Sequence, residues 1–140
     1  MVIVGFSFSK IDAEKKLQGV GGSIDINHNI SIKNVEMTSL NVGTNKNDVL
    51  KIIFDFTVGY GSGMGKIQLI GDVIYADTKE IISESLKGWE SDKKLNKLVN
   101  EQVLAFVYSK AIIKALEMSD ILGLPAPIPM PKVNFKNDKK

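Results

Sequence analysis

The 140-residue chain contains no cysteine, which excludes a disulfide scaffold, a thiol nucleophile and a thiolate metal site. Arginine is missing too: all 18 basic residues are lysine. Proteins that read bases or clamp phosphates rely on the bidentate guanidinium fork, so no nucleic-acid partner is expected. The single histidine, His28, would need partners from elsewhere in the chain to act as a catalyst or ligand. No catalytic residue, metal or cofactor is expected. Proline is absent from the first 124 residues, and all four prolines then fall at 125, 127, 129 and 131. No stretch approaches the roughly 18 apolar residues of a membrane span. Val2-Ile3-Val4 is too short for a secretory signal and lacks its basic lead. A cytosolic protein is expected.

What remains is ordinary for a soluble globular domain, with 44% hydrophobic and 24% charged residues. The length fits one domain with a sizeable core. The net charge of +2 is unevenly spread. Residues 132–140 hold four lysines against Asp138, leaving 14 lysines against 15 acids in residues 1–131. The expected organisation is a single domain over 1–131 and a basic tail over 132–140, flexible after Phe135.

Four stretches alternate with the period of a strand. In VIVGFSFSKID (2–12), Val2, Val4, Phe6 and Phe8 share one side, with Ile3 and Ile11 among the serines on the other. The glycine-rich link 13–23 follows, and in it Leu17 and Val20 have no periodic partner. SIDINHNISIK (23–33) puts Ile24, Ile26, His28, Ile30 and Ile32 on one face. On that apolar face His28 reads as a structural or interface residue. The phase slips after Lys33, since Val35 and Met37 have the other parity, which predicts a bulge near Asn34. LKIIFDFTVGY and KIQLIGDVIYA form a hairpin through GSGMG (61–65). Those glycines join two strands rather than a strand and a helix, so they are not a phosphate loop.

Asp77-Thr78 opens a short helix that reaches Lys87 and is closed by Gly88. Trp89 then reads as an anchor between two helices. Ser91 or Asp92 caps a rod from Lys93 to Leu122, which lacks Gly and Pro and ends at Gly123. Its length is about 45 Å at 1.5 Å per residue. It carries two apolar lines, Leu95-Val99-Val103-Phe106-Ile113-Leu116 and Leu98-Ala105-Tyr108-Ile112-Ala115. Two lines are more than one sheet needs, and the rod should overhang strands of eight to eleven residues, so self-association is expected. The fold class is α+β: a four-stranded, mainly antiparallel sheet packed on one long C-terminal helix plus a short helix.

The order and content of these segments resemble the SecB-type protein-export chaperones. DVLKIIFDFTVGYGSGMGKIQLIGDVIYAD is similar to that family's central hairpin. VLAFVYSKAIIKALEMSDILGLPAPIPMPKVNF is similar to its main helix and proline-containing loop, ending in Pro131-Lys132-Val133-Asn134-Phe135. The resemblance implies a dimer of dimers, with helices between eight-stranded sheets. It also implies apolar grooves that bind unfolded or precursor polypeptides. By position, Leu17 and Val20 fall in one groove wall and Leu124, Ile128, Met130, Val133 and Phe135 in the other. Alternating prolines favour a stiff, extended backbone that displays such residues, and methionine adapts to varied partners.

Two departures bear on hand-off. Bacterial members are strongly acidic and dock on the motor ATPase SecA partly by charge, whereas this body is near neutral and its tail basic. The five residues after Phe135 leave no room for the family's second helix. Docking on SecA is therefore not expected, and a general holdase or a partner of one unstable protein, such as a toxin–antitoxin component, stays open. The alternatives are a carrier of small ligands or acyl chains in the same groove, and a hot-dog thioesterase. The thioesterase would draw its carboxylate from Glu90, Asp92 or Glu101, but its helix normally follows the first strand.

Overall fold

The computed structural model describes residues 2–16, 25–42 and 45–129. Four strands, β1 (Val2–Lys15), β2 (Ile26–Val42), β3 (Asn45–Tyr60) and β4 (Gly65–Ala76), precede α1 (Lys79–Asp92) and α2 (Lys97–Leu122). The sheet is fully antiparallel in the order β1-β4-β3-β2. This is the α+β arrangement the alternation and the uninterrupted rod foretell.

Alternation decides which side becomes the core. On β3, Leu50, Ile52, Phe54, Phe56, Val58 and Tyr60 are buried, and on β4, Ile67, Leu69, Val73 and Tyr75. They pack against Ile82 and Trp89 of α1 and the inner line of α2. Gly71 faces Phe8 and Phe54 across the ladder. A Cβ there would stand 2.1 Å from the Ser7 carbonyl oxygen and 2.8 Å from the Phe54 ring. Only glycine lets Phe6 stack on Phe54 at 5.4 Å with Phe8 against both.

Three irregularities set the phase of the edge strands, one of them between Phe8 and Lys10 in β1. The bulge expected near Asn34 lies between Ile32 and Asn34, and it returns Val35 and Met37 to the face of Ile52 and Leu50. A bulge between Ile3 and Gly5 corrects the reading of β1. Ile3 pairs with core residue Tyr75 and packs on the core, whereas Val4 is exposed. An inserted residue inverts the parity of everything before it, and period-two counting missed this one.

The helices also depart from expectation. α1 does not stop at Gly88: it runs on to Asp92, and Lys93 closes it in the left-handed conformation at φ 57°. Gly88 serves a close approach instead, since a Cβ there would lie 2.9 Å from the Lys94 carbonyl oxygen. α2 therefore begins at Lys97, with the Asn96 side chain, not Ser91 or Asp92, accepting from Leu98 N–H and Val99 N–H. Thr78 caps α1 through Ile81 N–H, and Asp77 accepts from Thr78 N–H and the Tyr75 hydroxyl.

At 26 residues, α2 is about 39 Å long, and the 16 residues of β3 reach about 54 Å. The rod does not overhang the sheet, because the strands are longer than expected. Its buried residues fall every fourth position, at Val99, Val103, Val107, Ala111, Ala115 and Ser119, joined by Ile112. Of the two lines read from sequence, only Val99, Val103, Ile112 and Ala115 lie in this set. Small side chains face the sheet, and the large Leu98, Ile113 and Ile121 stay 58%, 64% and 68% exposed.

Candidate functional site

The exit from α2 is determined locally. Gly123, at φ 71°, donates to the Asp120 carbonyl, and Leu124 N–H reaches back to the Ser119 carbonyl at 2.8 Å. This pair of bonds is a Schellman motif, which seats the following apolar residue against the helix. Leu124 accordingly retains only 7% exposure and lies beside Gly65 at the start of β4.

From Leu124 the chain crosses the end of the sheet. Prolines carry no N–H, so the segment is tied through its carbonyls. The Tyr60 hydroxyl donates to the Pro125 carbonyl at 2.6 Å, and burial holds that phenol protonated by raising its pKa. His28 Nε2–H donates to the Pro127 carbonyl, and Nδ1 lies 3.4 Å from the Tyr108 hydroxyl. Rings of Phe56 and Tyr108 flank the imidazole. The histidine's role is a tie between β2 and the exit segment. Its partner lies 99 positions away, and no sequence signal could have found it. Pro127 is buried and Ile128 half-buried against the core.

Both ends of the β1–β2 connection come to this same end of the sheet. Lys16 N–H donates to the Met64 carbonyl and Gly61 N–H to the Asp25 carbonyl, each at 2.8 Å, on the turn between β3 and β4. The connection holding Leu17 and Val20 and the segment starting at Leu124 thus spring from one place. A cleft of about 310 Å³ opens beside it, lined by Leu116, Ser119, Asp120, Leu124 and Ala126. Of the expected groove residues, Leu124 lines this cleft, and Ile128 packs half-buried against the core without lining it. Leu17, Val20, Met130, Val133 and Phe135 lie outside the described residues.

The geometry is apolar and backbone-directed. Glu90, Asp92 and Glu101 are exposed on the helices, and none lines the larger cleft, of about 440 Å³, where α1 meets α2. Both helices follow all four strands, unlike the hot-dog order. Among the described residues no cluster of three His, Asp or Glu side chains is placed to hold a metal ion, and no helix is long and apolar enough to cross a membrane.

Neither a protein-family model nor a curated protein matches the sequence. Solved structures do match. One is the Mycobacterium tuberculosis Rv1957 SecB-like chaperone in complex with a ChAD peptide from the Rv1956 HigA1 antitoxin. It superposes with a TM-score of 0.56 at 9% identity, over 97% of this chain and 92% of that one. The fold is SecB-like. The likeness spans nearly the whole of both chains, so the helices and the long hairpin are included along with the sheet.

Proposed function

We propose that this chain is a SecB-like chaperone that binds extended segments of unfolded polypeptide in an apolar groove at the exit-loop end of the sheet. The observation that carries the reading is the convergence there of the β1–β2 connection and the proline segment, on the fold of a chaperone that holds a peptide. One wall is formed by Leu17 and Val20 and the other by Leu124, Ile128, Met130, Val133 and Phe135. Leu124 anchors its wall in the core; Ile128 and the residues after it present the apolar surface. A wall held in place before binding loses little entropy when a client docks. At about 1.5–3 kcal/mol per buried large side chain, four to six client anchors reach the roughly 8 kcal/mol of micromolar affinity after ordering costs.

The working form in this reading is a dimer of dimers. The three large apolar residues on the outside of α2 need cover, and among the described residues β1 and β2 each pair on one side only. The clients are cytosolic proteins that have not folded, whether held for export, held generally or belonging to one dedicated partner. Replacing Ile128 and Met130 together by serine tests the wall. Anisotropy of a labelled, reduced unfolded client should show weaker binding with the thermal midpoint nearly unchanged. Equal losses of affinity and stability would mean that the segment only covers the core.

A further inference from the structure

The larger cleft, where α1 turns into α2, lies away from the exit loop, and its lining is of two kinds. Ile32, Leu95 and the indole of Trp89 give it an apolar floor. Lys93, Lys94 and Lys97 stand on its rim. All three lysines are solvent-exposed, and the sole salt bridge among the described residues joins Lys114 to Glu117 on α2. The neighbouring carboxylates Glu90 and Asp92 do not line the cleft. Lys93 Nζ lies 5.6 Å above the Trp89 ring. Trp89 itself is only 8% exposed, and its indole Nε1–H has no acceptor among the described residues.

We infer that this cleft is a second peptide subsite, taking a client segment in which an apolar side chain is flanked by aspartate or glutamate. The apolar floor receives the side chain and the three ammonium groups pair with the carboxylates. Charge complementarity selects this occupant: a basic segment would meet three like charges, and an uncharged one would leave the lysines unpaired. The lysines are point charges on flexible stems rather than planar forks, which suits carboxylates at varied positions along a chain.

The inference rests on the chaperone reading and can fail separately from it. Trp89 is the only tryptophan, so intrinsic emission reports on this cleft alone. The probes are two synthetic peptides with the same leucines, one flanked by glutamates and the other by lysines. The glutamate peptide should shift Trp89 emission saturably, and at 1 M salt, where the screening length falls to about 3 Å, the shift should be lost. Exposed pairs are each worth roughly 1.4- to 5-fold, so changing Lys93, Lys94 and Lys97 to glutamine should weaken binding about tenfold. Equal affinities for the two peptides, or a triple variant that binds as well as the parent, would overturn the subsite. Equal displacement by a single-stranded oligonucleotide would overturn the peptide assignment. If the acidic preference is absent while unfolded clients still bind, only this inference falls; if no unfolded client binds at all, the chaperone reading falls with it.

Discussion

The exit segment is held to the sheet by two side-chain bonds to proline carbonyls, and removing one hydroxyl measures that hold. Tyr60→Phe deletes the donor to the Pro125 carbonyl and keeps the ring in the core. Pro125 is half-buried, so its freed carbonyl can take a water. The cost should then be that of a typical net hydrogen bond, about 1 kcal/mol, or roughly fivefold in the equilibrium for lifting the segment. Adding His28→Ala removes the second tie, and the pair should approach 2 kcal/mol, roughly thirtyfold. Because the chain lacks cysteine, Leu124→Cys supplies a single buried thiol at the start of the segment. Its labelling rate reads local opening. Within that background, Tyr60→Phe should label about fivefold faster, while Ile52→Cys in the middle of β3 should not change. Equal rates with and without the hydroxyl would show that these bonds do not hold the segment.

Further outcomes follow from the packing and the charges. Gly71→Ala forces a methyl against the Ser7 carbonyl and Phe54, and should cost about 1–3 kcal/mol in denaturant unfolding; an unchanged midpoint would contradict the aromatic packing. Replacing Ile113 and Ile121 by lysine should reduce the solution mass measured by light scattering to a single chain without lowering the thermal midpoint. A parent of one-chain mass would remove the proposed assembly. Burial raises the Asp77 pKa, but the Thr78 N–H and Tyr75 hydroxyl outweigh it and leave the carboxyl below its usual value. A depressed carboxylate stabilises the fold above its unfolded pKa, and that share is lost as pH falls through the folded value. Asp77→Asn should therefore flatten the acid limb of stability against pH. Tyr75 has the opposite sign: burial first, then Asp77, raises its pKa, so its share is present below the usual phenol value and is lost at high alkaline pH.

Much of the architecture could be read before the fold was seen, because the residues that settle it act locally. Alternation in β3 and β4 marked the core face, Gly123 marked the end of α2, and the change of parity after Lys33 marked a bulge. The failures have physical causes too. Nothing in VIVGF signals that Val4 is the inserted residue, since both parities there are apolar. Along α2 nearly every face is apolar, so periodicity could not choose among them. The sheet selects Val107, Ala111 and Ser119, where small side chains permit close approach, and this excludes Phe106 and Ile113 from the buried line. Lys93 closes α1 without glycine, and so the sequence pointed five residues too early, to Gly88. Of the candidate site, the segment was legible from its prolines, but the side chains that tie it down, His28 and Tyr60, come from strands far away in the chain.

The central claim is that this SecB-like fold holds unfolded polypeptide, and aggregation of a reduced client followed by light scattering tests it most directly. Near-stoichiometric amounts of the chain should suppress the rise in scattering, and the Ile128→Ser, Met130→Ser variant should do so less well. Scattering that is unchanged at large molar excess of the parent would contradict the account.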